Sequence, residues 1–310
     1  MNNNTDIILD TKSLAYSYST GRGISDVDIT VTRGECLAFL GRNGSGKSTL
    51  IKLLTGLLRP DTGTIAVMGR PLDYHGRSHA RNMGITLDVC AHWEDLSGYD
   101  NAYFTMSVCG VPNPEPRIRE LFDTASLSDA AQDPVGTWSF GMRRKLGIVE
   151  ALGHDPALLI LDEPTIGLDP PFELALADIV RSRCDRSLAT IIAGNDATFT
   201  ESVATRCAFI ADGRIVKEGT AEDLIESVCP WQEITMIIGE DLVLPEPRMS
   251  AIRSHNQNGR KVTLITEHDP SAAGQAVEWC TAHGASVVSL EVKGSTLRDA
   301  FLIHTGDILE

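Results

Sequence analysis

LAFLGRNGSGKSTLIKLL, residues 37–54, is the stretch whose reading decides the fold. The apolar run CLAFL, beginning at Cys36, predicts a buried strand, and the amphipathic run after Ser48 predicts a helix. Between them lies Gly41-x-x-x-x-Gly46-Lys47-Ser48. Strand, Gly-rich loop and helix in that order are the setting in which this pattern cradles phosphate. The glycines let the backbone curl so that successive N–H groups face one concavity. The helix adds its unpaired N-terminal donors and the positive end of its dipole. Lys47 is expected to reach the β- and γ-phosphates, and the Ser48 hydroxyl to hold Mg²⁺. Asn43, Gly44, Ser45 and Thr49 complete the expected phosphate-binding set with Gly41 and Gly46.

Composition bounds the rest. At 310 residues the chain has room for one large domain and a small one. No apolar run approaches the ~20 residues that span a bilayer, and the opening MNNNTDIILD lacks a basic segment followed by an apolar one. The expectation is therefore a cytoplasmic protein. Its seven scattered cysteines form no C-x-x-C pair and are read as reduced thiols. A net charge of −15 argues against a surface that grips nucleic acid or anionic lipid directly.

Alternating segments at 7–18 and 27–31 read as strands ahead of the phosphate loop. Tyr18, just before a Gly-bearing turn, is either an adenine-stacking aromatic or a half-buried strand residue. A turn at 59–63 precedes a strand at 64–68, and NMGITLD, 82–88, reads as another. Residues 91–156 turn helical, and 114–125 place Ile118, Leu121, Phe122 and Ala125 on one face. WSFGM, 138–142, opens a further helical run with Ser139 placed as N-cap. Alone, it is better read as an ordinary helix start. ALLILDE, 157–163, is a buried strand ending in two acids: Asp162 is placed to hold Mg²⁺ opposite Ser48, and Glu163 to polarise the attacking water. A helix at 172–183, a strand at 188–193, a helix at 197–206 and a hairpin turning at Asp212-Gly213 follow.

Taken together, the residues from about 7 to 221 resemble the ATP-binding subunit of an ABC transporter. The phosphate loop, WSFGM in place of the usual LSGGQ, ILDEP-x-x-GLDP and DGRIVKEGT carry the likeness. It implies an α/β nucleotide-binding domain at 1–228 containing a helical subdomain at about 89–156. It also implies ATP as ligand, a transmembrane permease as partner, and a sandwich dimer of ATPase subunits, homodimer or heterodimer. In that dimer Ser139 and Gly141 would contact the other subunit's ATP, Asp169 would cross the seam, and Tyr18 would stack on adenine. The end, STLRDAFLIHTGD, resembles the tails of ATPases serving ABC-2 type exporters of drugs, antibiotics and polysaccharides. The subunit would then sit on the inner face of the membrane through its permease.

Three positions depart from that pattern. The family expects a glutamine near NMGITLD, where Asp88 stands, and a histidine after TIIA, where the chain reads Gly194-Asn195-Asp196. Phe140 replaces the first signature glycine. By alignment Asp88 becomes a candidate at the metal and Asn195 a candidate at the γ-phosphate, with slow turnover or an ATP-dependent switch as the consequence. A guanine-specific N-K-x-D is absent, as is the long heptad stretch of a nucleic-acid-linked relative. Residues 229–310, from a boundary marked by Pro230, read as a small α+β accessory domain showing no catalytic cluster.

Overall fold

The computed structural model describes the chain apart from residues 1–5, 75–78, 80, 90, 229–230, 248–251, 268, 270 and 310, so the boundary marker Pro230 lies outside the described residues. Two antiparallel strands come first, β1 (Ile7–Ser17), whose pairing is interrupted by register shifts, and β2 (Gly23–Thr32), whose later half alternates buried and exposed residues. β3 (Cys36–Leu40) is buried at every residue and leads through the phosphate loop into α1 (Lys47–Leu54). β4 (Thr62–Val67) returns to pair with β1, β5 (Arg70–Pro71) pairs with β4, and β6 (Met83–Thr86) starts elsewhere. α2 (Gly98–Val108), α3 (Glu115–Ala125) and α4 (Phe140–Leu152) make the helical region. Then come β7 (Leu158–Asp162), α5 (Pro170–Asp185), β8 (Ala189–Gly194), α6 (Ala197–Val203), and the hairpin β9 (Arg206–Ala211) and β10 (Arg214–Gly219).

Among the described residues these strands form a four-stranded sheet, β2-β1-β4-β5, and a six-stranded one, β10-β9-β3-β8-β7-β6. In the larger sheet β9, β3, β8, β7 and β6 run parallel. Strands covered on both faces must be apolar throughout, which is why CLAFL and LLILD are buried residue by residue. α1 sinks Leu50, Ile51, Leu53 and Leu54 into the core beside Phe39, Ile160 and Ile191. Each such Leu or Ile contributes about 1.5–3 kcal/mol of transfer free energy. On α3 the four residues expected on one face, Ile118, Leu121, Phe122 and Ala125, are the ones buried. The helix expected at 197–206 stops at Val203. Thr205 instead donates its N–H to the Cys36 carbonyl at 2.9 Å, and Arg206 joins the sheet beside β3.

The chain divides into two compact units, Met1–Ala221 with His304–Glu310 in the first and Glu222–Ile303 in the second. The division falls earlier than residue 228, and the last residues return to the first unit. Arg42 in the phosphate loop is ion-paired there with Asp307 at 2.7 Å. α7 (Ala221–Glu226) leads into the second unit, which holds β11 (Trp231–Ile238), β12 (Ile252–Asn258), β13 (Lys261–Glu267), α8 (Ala272–Ala282) and β14 (Val287–Gly294); α9 (Leu297–Thr305) follows. The strands form an antiparallel sheet, β12-β13-β11-β14. α8 covers it, Ala276, Trp279 and Cys280 packing with Ile234, Met236 and Leu264. β12 is not foreseen by the sequence pattern, because IRSHNQN lacks the apolar alternation that marks a half-buried strand.

Candidate nucleotide site

The parallel strands β3, β7 and β8 end side by side, and the loops beyond their carboxyl ends enclose a cleft of about 480 Å³. Crevices outside the carboxyl ends of parallel strands are where open α/β sheets bind ligands. Gly46 ends the loop at φ 112°, a conformation that glycine alone adopts without strain. A Cβ on it would also meet Ile24, Gly213 and the Gly23 carbonyl at 3.1–3.3 Å. As N-cap of α1 it offers no side chain, so no side chain of the protein caps the first turn of this helix. The loop therefore presents backbone donors and a helix dipole to whatever anion enters.

Of the residues singled out in the sequence, Asn43, Gly44, Gly46, Lys47, Ser48 and Thr49 line the cleft from the phosphate loop. Asp88, Glu163 and Asn195 line it from the ends of β6, β7 and β8, and Tyr18 from the turn between β1 and β2. Tyr18 is not a strand residue. It sits past the end of β1, its N–H bonded to the Arg22 carbonyl at 2.7 Å and its ring edge-on to Tyr16 at 4.9 Å. Gly41, Ser45 and Asp162 support the lining from behind. The Gly41 carbonyl accepts from Lys47 Nζ at 2.6 Å, and Ser45 is buried against Gly41, where a Cβ would come within 2.4 Å of its Oγ.

Two buried acids set the electrostatics. Lys47 Nζ stands 3.4 Å from the Glu163 carboxylate, both side chains almost enclosed. Asp162 is 2% exposed, and one of its carboxylate oxygens is buried with no hydrogen-bond partner. Burial pushes its carboxyl up to about 6; the Ser48 hydroxyl bonded to it opposes the rise, and the charges of Glu163 and Asp88 add to it. Glu163 has left the strand in a left-handed conformation, φ 49°, while its N–H bonds the Ala193 carbonyl at 2.7 Å. Non-glycine residues held in that region cluster at functional sites.

Ser139, Gly141 and Asp169 are not in this cleft; the fold gathers them elsewhere. Ser139 caps α4, accepting from the Met142 N–H at 3.2 Å. Gly141 packs on the Gly167 carbonyl so closely that a Cβ would lie 2.5 Å from it. Asp169 caps α5, accepting from the Phe172 N–H at 3.0 Å, and is ion-paired with Lys145. That lysine and that N–H hold its carboxyl below the usual range.

Residues without a motif of their own also shape the site. Thr20, Arg22, Gly23 and Ile166 line the cleft, and nothing in their spacing marks them. Arg144 is buried beneath it, its guanidinium bonded to carbonyls of residues flanking the cleft. Its signal is present in the sequence: Arg144, Ile148 and Ala151 share one helical face, so a charge stands on the core side of α4.

Residues 24–166 match the ABC transporter family. The daunorubicin/doxorubicin resistance ATP-binding protein DrrA of Streptomyces peucetius is 34% identical, over 99% of this chain and 94% of that one. The chain belongs to the ABC transporter ATP-binding family. The Nod factor export ATP-binding protein I of Burkholderia lata is 30% identical over 91% of this chain and 92% of its own. A solved ATP-binding subunit of an ABC transporter superposes with a TM-score of 0.67 at 27% identity, covering 71% of this chain and 92% of that one. Among the described residues of this ABC protein, no helix is long and apolar enough to cross a membrane.

Proposed function

We propose that this ABC subunit binds ATP with Mg²⁺ in the cleft and hydrolyses it to drive export through a separate transmembrane permease. The observation that carries this is the meeting of Lys47, Ser48, Asp162 and Glu163 at one strand edge. A buried carboxylate oxygen without a partner, beside a hydroxyl, is a hard-oxygen donor set suited to Mg²⁺. Ser48 and Asp162 would hold the ion, with Asp88 as a further candidate ligand. Bound there, Mg²⁺ neutralises charge developing on the β- and γ-phosphate oxygens. Lys47 exchanges the Gly41 carbonyl for phosphate oxygens. Glu163 accepts a hydrogen bond from a water whose oxygen attacks the γ-phosphorus as the bond to ADP breaks. Tyr18 stacks on adenine.

Ser139, Gly141 and Asp169 act across a dimer seam, on the ATP of a second subunit; their absence from the cleft supports that assignment. A homodimer is favoured, because Glu163 is retained in the site. Export is supported by the names of the relatives, which concern drug resistance and Nod factor export. The subunit is cytoplasmic and is held at the membrane by the permease, not by lipid, and it binds no nucleic acid. An exposed aromatic pair, Trp93 and Phe104 with ring centroids 4.6 Å apart, offers an apolar surface for that contact. Turnover is slow, since Asp88 and Asn195 stand where the family carries glutamine and histidine. Pull-down from native membranes followed by Mg-ATP hydrolysis, with and without the captured partner, tests the proposal. Absence of both a membrane partner and hydrolysis would overturn it.

A further inference from the structure

Arg144 lies in the second turn of α4 and is 2% exposed. One terminal nitrogen donates to the carbonyls of Leu87 and Asp88, the latter at 3.1 Å. The other donates to the carbonyls of Asp162 and Glu163, the latter at 2.5 Å. A single guanidinium thus clamps two strand ends, that of β7 with both of its acids and that of β6 with Asp88. Glu163 is held from two directions. Its N–H is tied to Ala193 of β8 and its carbonyl to Arg144, and between these ties its backbone stays at φ 49°. We propose that Arg144 is a positioning residue for hydrolysis, fixing the direction in which the Asp162 and Glu163 carboxylates leave the backbone.

The rival account is that Arg144 serves stability alone, as any buried cation with enough acceptors does. The identity of the acceptors separates the two accounts. The four carbonyls named belong to residues that carry, or directly precede, side chains placed at the cleft, and Arg144 itself does not line it. A planar fork suits this task because it spans two pairs of carbonyls at fixed separation. A lysine ammonium keeps the charge but is a point donor that cannot span both. The inference rests on the hydrolytic reading of Asp162 and Glu163.

The experiment compares wild type, Arg144→Lys and Arg144→Gln in the full chain, with the permease present. It measures kcat, the equilibrium affinity for Mg-ATP and the thermal transition. Leu176→Ala, a core change in α5, serves as a control for lost stability. A misplacement of about 1 Å in reacting groups lowers rates by roughly a hundredfold, so kcat in Arg144→Lys is expected to fall on that order. Affinity for ATP should stay within about twofold, since an effect confined to the chemical step leaves ground-state binding alone. Leu176→Ala should lower the transition and leave kcat intact at temperatures below it. Unchanged kcat in both Arg144 variants overturns the inference, and so does loss of ATP binding in step with loss of the thermal transition. A wild type that hydrolyses nothing sinks the proposed function and this inference together. Normal wild-type hydrolysis with indifferent Arg144 variants sinks the inference alone.

Discussion

Lys47 Nζ stands 3.4 Å from the Glu163 carboxylate, so the cation we propose for phosphate and the acid we propose for water are paired across the cleft. Ligand entry must separate them or draw them together on one phosphate. Removing either therefore has opposite consequences for binding. Lys47→Ala deletes the cation proposed to contact the β- and γ-phosphates, and ATP binding should be lost. Glu163→Gln keeps the shape and removes a negative charge from beside the phosphates, so binding should persist while hydrolysis stops. Calorimetric titration with Mg-ATP, followed by size-exclusion, reads both outcomes. A Glu163→Gln protein that remains monomeric at saturating ATP, with the permease present, would contradict the sandwich dimer.

Asp162 links the site to stability. Its carboxyl is raised to about 6 from an ordinary 3.8, so between those values the folded protein binds a proton that the unfolded chain has released. Stability from this group is present below about pH 4 and is lost as pH rises through 6. At pH 8 the loss is about 3 kcal/mol, since each tenfold change in proton affinity is worth about 1.36 kcal/mol. Asp162→Asn should thus raise the urea midpoint at pH 8 in EDTA, by an amount that shrinks as pH falls below 6. The same variant should lose Mg-dependent hydrolysis. A lower midpoint at pH 8 would show that the buried charge is better accommodated than its unpartnered oxygen implies.

Asn195 lines the cleft with Glu163, at the position where the family resemblance leads us to expect a histidine. The amide donates from a single uncharged NH2 on a shorter side chain, and we expect it not to hold phosphate, water and acid at once. The missing charge-assisted contact is worth about 1.5–3 kcal/mol, which is roughly ten- to a hundredfold in rate. Asn195→His is therefore expected to raise kcat at least tenfold with the permease present. Equal rates at unchanged ATP affinity would place Asn195 away from the limiting step.

Charge governs how the surface meets a membrane. With a net charge of −15 the protein is repelled by an anionic leaflet, where each added basic residue would be worth about 1 kcal/mol of attraction. Purified subunit should stay at the bottom of a flotation gradient with phosphatidylserine vesicles. It should float only when the permease is in the bilayer. Floating without it would mean that lipid itself is a partner.

The phosphate loop was legible because its chemistry leaves few alternatives: glycine suits the backbone at Gly46, and Lys47 and Ser48 bring a cation and a hydroxyl at the spacing the pattern demands. The strands carrying it were legible because burial on both faces demands unbroken apolar runs, as in CLAFL and LLILD. Arg144 was harder to read, since its partners are carbonyls and every residue has one. The position of Tyr18 depends on where β1 stops, which turns on hydrogen bonds of the Tyr18–Arg22 turn and not on side-chain pattern. β12 is a strand because β13 pairs with it, through the register Ile252↔Thr266 to Asn258↔Lys261. Pairing of that kind leaves no trace in a polar sequence.

The first unit is closed by residues 304–310, so the polypeptide leaves it at Ala221 and comes back. In terms of connectivity, the second unit is bounded on both sides by segments of the first. A stop codon after Ala221 would strip away Asp307, the partner of Arg42 in the phosphate loop, along with Leu309, which is 1% exposed. A deletion meant to remove the second unit alone must therefore spare residues 304–310 as well as the segment up to Ala221.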